Sequence, residues 1–206
     1  GSALASDSMW RELMRAKESG KPLVASMGSV AASGGYYIAA PADKIVASPT
    51  TVTGSIGVFG MSPMIADAKA KLNIHTDEIH TGKEAPASLN RKPSRAQVKR
   101  INTDIDAIYE LFRQRVADGR KMSMEDVTKV AEGRVWTGAD AVEAGLVDEL
   151  GGLHHAINLA ARLSGAGEGV RAKAKPFPKK TNALASLKKK KAENSAAGVA
   201  ASVGFA

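Results

Sequence analysis

Apolar and polar positions alternate along this chain with periods that change from segment to segment. Leu4, Trp10, Leu13 and Met14 recur at helical spacing through residue 19, where Gly20 and Pro22 stop the pattern. Residues 23–27, led by the apolar Leu23, Val24 and Ala25, then read as a buried strand, and residues 44–48 (Lys-Ile-Val-Ala-Ser) as a second one closed by Pro49. Residues 50–58 are β-branched and punctuated by Gly54 and Gly57, which suits a strand or loop whose backbone passes close to a ligand. Ser62-Pro63 predicts a capped helix over Met64, Ile65, Ala68 and Leu72, residues 74–81 a third strand, and residues 82–93 a loop.

Ser94 caps the longest predicted helix, whose apolar face is Val98, Ile101, Ile105, Ile108, Phe112 and Val116 and whose end is Gly119. Ser123-Met-Glu-Asp126 and Thr137-Gly-Ala-Asp140 are capping signatures for two short helices that stop at Gly133 and Gly145. Leu153, Ile157, Ala160 and Leu163 mark a last helix. Strands alternating with helices predict an α/β domain with a mostly parallel sheet flanked by helices.

One stretch does not fit a periodic element. In residues 26–41, Ser33 lies between two alanines and two glycines, after the first strand and before a short apolar segment ended by Pro41. Small neighbours leave its hydroxyl uncovered, and the glycines let backbone N–H groups approach whatever that hydroxyl attacks. A nucleophile and an oxyanion pocket both need this layout, and so does tight strand–helix packing around a small residue.

Composition changes the picture in two ways. With 206 residues, 44% of them hydrophobic, the chain is long enough for one sizeable core. Its net charge of +8 sits almost wholly in the tail. From residue 165 onward nine Lys or Arg face only Glu168 and Glu193, a net +7, so residues 1–164 are near neutral. The expected division is a domain over residues 1–164 and a basic, Ala/Lys-rich, disordered tail over 165–206. The Lys188–Lys191 run reads as a solvated tail, with attraction to anionic lipid or nucleic acid as the sharper alternative.

Cysteine is absent, which excludes disulfides, thiolate metal sites and a cysteine nucleophile. His154-His155 lacks further ligands at metal spacing and reads as a surface or capping pair. No apolar run reaches transmembrane length, and residues 1–20 do not read as a signal peptide. The abrupt start at Gly1-Ser2, without an initiator methionine, suggests a piece of a longer protein.

Four blocks carry a family resemblance: Ala31-Ala-Ser33-Gly-Gly-Tyr-Tyr, Ala42-Asp-Lys-Ile-Val-Ala47, Thr53-Gly-Ser-Ile-Gly57, and Gly133-Arg-Val-Trp-Thr-Gly138 with Gly145-Leu-Val-Asp148. In this order they resemble the signal peptide peptidase A (protease IV) family over roughly residues 1–164. The resemblance implies a ClpP/crotonase-like α/β fold, truncated here at its amino-terminal side. It also implies a membrane-associated bacterial serine peptidase that degrades apolar, cleaved signal peptides. Such an enzyme sits at the inner membrane with its catalytic part on the periplasmic face, forms ring or dome homo-oligomers and needs no cofactor. Membrane attachment would come from a segment outside this chain.

On this resemblance Ser33 matches the nucleophile and the Gly34 N–H an oxyanion donor. Gly1 and Ser2 look like the end of a Pro-Gly-Gly-Ser loop supplying a second donor, and Gly54, Ser55 and Gly57 form substrate-pocket backbone. The family's base is a lysine, which works only if burial keeps it neutral. Members with a self-sufficient half carry Gly-x-x-Lys after the third strand; this chain reads Gly82-Lys83-Glu84-Ala85, with Ala85 at the matching position. The chain therefore looks like the serine-bearing second half of a duplicated member, its base lying elsewhere. Lys83 reads as an exposed loop lysine, and His75 or His80 would be the Ser–His alternatives. Competing readings are a non-catalytic assembly module and a basic-tailed binding protein on an unrelated α/β domain.

Overall fold

The computed structural model describes residues 1–61, 63–80, 82, 88–167, 172 and 174–177. By contacts the chain divides into two units, Gly1–Val170 and Arg171–Ala206, and every helix and strand among the described residues lies in the first. The elements of that first unit, in order, are α1 (Ala3–Glu18), β1 (Val24–Ser26), β2 (Val30–Ala32), α2 (Gly34–Ala39), β3 (Lys44–Ala47), β4 (Val52–Gly54), α3 (Ala66–Lys71), α4 (Arg95–Arg120), α5 (Met124–Val130), β5 (Val135–Thr137), α6 (Gly138–Glu143), β6 (Glu149–Leu150) and α7 (Leu153–Leu163).

Two small sheets organise the domain. In one, β1 and β6 flank β3, all parallel; in the other, β4 pairs parallel with β2 and antiparallel with β5. This is the α/β arrangement expected, with β3 buried in the middle (Ile45, Val46 and Ala47 are all fully buried). The core continues through Tyr36, Ile56, Val116, Val127 and Leu146, and Tyr36 satisfies its buried hydroxyl by donating to Leu146 O at 2.9 Å. Burial pushes that phenol's pKa upward, so it stays a donor.

Two acidic residues in the family-like blocks pin strand ends. Asp43 accepts from Leu23 N at 2.7 Å and pairs with Lys17 at 3.0 Å, fixing the entry of β1 beside β3. Asp148 accepts from Ile45 N at 2.8 Å and pairs with Arg120 at 2.9 Å, tying the approach to β6 to β3 and to the end of α4. Both carboxylates are structural groups, because every partner they find belongs to the scaffold.

Several sequence-level expectations are corrected. The strand expected over 74–81 does not form among the described residues 74–80; Ile74 and Ile79 are exposed there, so no apolar face is available to bury. The helix expected from Ser62 begins at Ala66 with Ile65 as its N-cap, and Ser62 lies outside the described residues. The long helix runs past Gly119 to Arg120, ended by Lys121 in the left-handed conformation. Three strands, β2, β5 and β6, escape a periodicity reading because each has two or three residues. The Ser94, Ser123 and Thr137 caps do form, each hydroxyl accepting the backbone N–H three residues on.

Candidate active site

Ser33 stands at the turn between β2 and α2. Its N–H donates to Gly54 O at 2.9 Å, extending the β2–β4 ladder by one residue, while its own C=O accepts from Tyr37 N and starts the helix. Serving both elements forces the backbone to φ +53°, ψ −120°, a conformation that costs a non-glycine residue free energy. A strained serine on a strand-to-helix turn is the geometry of a nucleophile elbow. Because the Ser33 N–H is spent on Gly54, the nearest free donors are the first N–H groups of α2, beginning with Gly34.

The walls around Ser33 come from three helices and one loop. A pocket of about 130 Å³ is lined by Gly1, Ser6, Ser33, Gly34, Tyr37 and Phe112, with Val58, Phe59 and Ile108 closing it. Sharing its Gly1, Ser33, Gly57, Val58 and Phe59 walls, a wider groove of about 600 Å³ extends past Ser55, Ile105, Tyr109 and Gly133, with Asp106 and Glu132 on its rim. The pocket is uncharged.

A Cβ at Gly34 would lie 2.6 Å from Ser6 Oγ and 3.9 Å from Gly1 Cα, so a side chain there would have to turn the Ser6 hydroxyl aside. Gly1 and Ser2 thus stand beside Gly34, and Ser2 accepts from both the N–H and the hydroxyl of Ser6, at 3.0 Å each.

The predicted substrate-side residues divide. Ser55 (φ +48°) and Gly57 line the groove with Ser33, whereas Gly54 (φ +72°) ends β4, accepts from Ser33 and lies against Trp136. Gly57 packs so closely on Gly133 that a Cβ would sit 2.9 Å from its Cα.

The candidate bases are not brought to Ser33. His75 is exposed beside Asn73 Oδ1 at 3.3 Å, and His80 pairs with Glu78 at 3.2 Å; neither lines the pocket or the groove. His155 pairs with Glu149 at 2.6 Å on the surface. Lys83 lies outside the described residues. Among the described residues no lysine or histidine lines either cavity.

Sequence reasoning misses Ser6 and the α4 wall. Ser6 is buried at the same helical phase as Trp10 and Leu13, and that phase is the available signal. Ile105, Ile108 and Phe112 have the spacing of a core face, which Phe112 occupies, while Ile105 and Ile108 turn to the site.

Site and fold together define an α/β domain that presents a strained serine to an apolar pocket at a strand-to-helix turn. Residues 15–167 match peptidase family S49, and the chain belongs to that family. It is 43% identical over 164 residues to Protease 4 of Salmonella typhi, covering 80% of this chain and 26% of that protein. It is also 43% identical over 164 residues to a chloroplastic serine protease SPPA of Arabidopsis thaliana, covering 78% of this chain and 24% of that one. The chain therefore spans about a quarter of the length of these relatives.

Among solved structures it is similar to a ClpP1 mutant from Listeria monocytogenes (16% identity, TM-score 0.37, 64% of this chain and 56% of that one). An enoyl-CoA hydratase/isomerase from Marinobacter aquaeolei is similar at 17% identity and TM-score 0.35, covering 94% of this chain and 59% of that one. These two likenesses concern the fold alone.

Proposed function

We propose that this chain carries the serine side of a serine endopeptidase site acting on apolar peptides such as cleaved signal peptides. The observation that supports the reading best is the strained Ser33 elbow opening onto an uncharged, apolar pocket. Ser33 Oγ attacks a peptide carbonyl, the Gly34 N–H receives the developing oxyanion, and the Gly1–Ser2 backbone, which lies beside Gly34, supplies a second donor. Ser55 and Gly57 border the strand of substrate in the groove. Attack requires a base to take the serine proton; a lysine held neutral by burial does so, returns the proton to the leaving amine, and then activates water to release the acyl group.

That lysine comes from a segment other than those described. The whole enzyme is a membrane-associated bacterial homo-oligomer facing the periplasm, its anchor outside this chain, and residues 165–206 form a basic tail appended to the peptidase domain. Among the described residues no helix is long and apolar enough to cross a membrane.

A fluorophosphonate probe on the full-length protein, read by peptide mass spectrometry, should label Ser33, and Ser33→Ala should abolish both labelling and peptide hydrolysis. An intact, folded protein that fails to label at Ser33 would refute the proposal. One observation favours a second reading, a non-catalytic assembly module: among the described residues no lysine or histidine lines the cavities beside Ser33. Hydrolysis that survives Ser33→Cys but disappears on replacing a single lysine would decide for the enzyme.

A further inference from the structure

The pocket beside Ser33 has an aromatic wall whose position is held by a charge cluster that the proposed chemistry does not use. Tyr37 and Phe112 both line the pocket, their ring centroids 4.9 Å apart with a 40° tilt. Tyr37 is almost fully buried and donates its hydroxyl to Asp7 Oδ1 at 2.8 Å. Asp7 in turn pairs with Arg11 at 2.7 Å and with Arg115 at 3.4 Å. The Arg115 guanidinium lies 3.6 Å from the centroid of the Trp10 ring. Two helices thus hold the phenol: α1 supplies Asp7 and Trp10, and α4 supplies Phe112 and Arg115. Tyr37 cannot swing aside to deepen the pocket without breaking a part-buried hydrogen bond to a carboxylate.

We propose that Tyr37, clamped by Asp7, is a specificity-determining residue that limits the side chain next to the attacked carbonyl to about leucine size. The inference rests on the Ser33 reading above. It uses volume: the pocket holds about 130 Å³, just under the roughly 150 Å³ that houses a benzene ring in an apolar cavity. Alanine, valine and leucine side chains fit such a space. An indole does not. Replacing the phenol by a smaller apolar group would join its volume to the pocket and admit the larger side chain.

The test uses the full-length protein and two peptides differing only in leucine or tryptophan at the residue whose carbonyl is attacked. The wild type should favour leucine in kcat/KM by about tenfold or more, since single-group differences in apolar pockets are worth roughly 10–200-fold. Tyr37→Leu should raise the tryptophan-to-leucine ratio by about tenfold. Tyr37→Phe, which keeps the ring and removes only the tether to Asp7, should raise it less, about threefold.

A ratio unmoved in folded Tyr37→Leu overturns the proposal, as does a wild type that prefers tryptophan. Should Tyr37→Leu fail to fold, an unmoved ratio in Tyr37→Phe overturns it equally. Fluorophosphonate labelling separates the layers. Labelled Ser33 with unmoved ratios removes the role of Tyr37 alone, whereas unlabelled wild-type Ser33 removes the peptidase reading and this inference with it.

Discussion

Asp148 offers the sharpest test of how the scaffold holds the site. Its side chain is 17% exposed and that of its partner Arg120 8%, so removing the carboxylate strands a largely buried guanidinium. The same change leaves Ile45 N–H, in the central strand, without its 2.8 Å acceptor. Breaking a buried pair by deleting one partner costs about 3–5 kcal/mol. The residual exposure of Asp148 places Asp148→Ala at the lower end, about 3 kcal/mol.

In a domain of this size that corresponds to a melting temperature lower by roughly 6–12 °C. Asp148→Asn keeps an acceptor for Ile45 N and should lose less, about 1–2 kcal/mol.

The pH dependence has a definite sign. Burial raises the Asp148 pKa, but the hydrogen bonds from Arg120 and Ile45 N outweigh it, and the carboxyl titrates below its ordinary value of 3.8. A depressed acid stabilises the fold at pH above its unfolded pKa, and the contribution disappears as pH falls through the folded pKa. The gap between wild type and Asp148→Asn should therefore be full at neutral pH and close below about pH 4. Thermal melts followed by circular dichroism across that range measure both effects. A melting temperature for Asp148→Ala within about 2 °C of wild type at pH 7 would refute the assignment of Asp148 to the scaffold.

Two further outcomes are expected. Gly119→Ala should destabilise by about 1–3 kcal/mol in denaturant titration, because a Cβ there presses into the Ala40 carbonyl, and this overrides the roughly 1 kcal/mol helix-propensity gain of alanine. Gly34→Ala retains its N–H but displaces Ser6 from the pocket edge; fluorophosphonate labelling of Ser33 should slow by about tenfold to a hundredfold, with melting temperature little changed.

How much of the molecule is legible in the sequence depends on how local each signal is. The Ser94, Ser123 and Thr137 caps are legible because cap and recipient N–H lie three residues apart. Ser33 is legible for the same reason: its small neighbours are adjacent in the chain. The walls of its pocket are not, since Ser6, Tyr37 and Phe112 meet only through tertiary packing.

Gly119 misleads because glycine usually ends a helix, whereas here it lets α4 cross the end of α2 at backbone contact. The 74–81 stretch misleads because β-propensity describes a half-buried surface, and among the described residues no partner strand supplies one to residues 74–80. Gly145-Leu-Val-Asp148 stands out as a block, but its purpose emerges only when Asp148 is seen on Ile45 and Arg120.

The three-helix wall around Ser33 also has a kinetic side. Its members run from Gly1 to Phe112, so closing the pocket requires contacts across more than half of the chain. Contacts that distant form after local ones, because loop-closure entropy must be overcome before they stabilise anything. The elbow itself, needing only β2, β4 and the first turn of α2, draws on residues 30–54. During synthesis the strained serine turn can therefore form before its pocket does, and a chain still emerging carries Ser33 without the cavity that later encloses it.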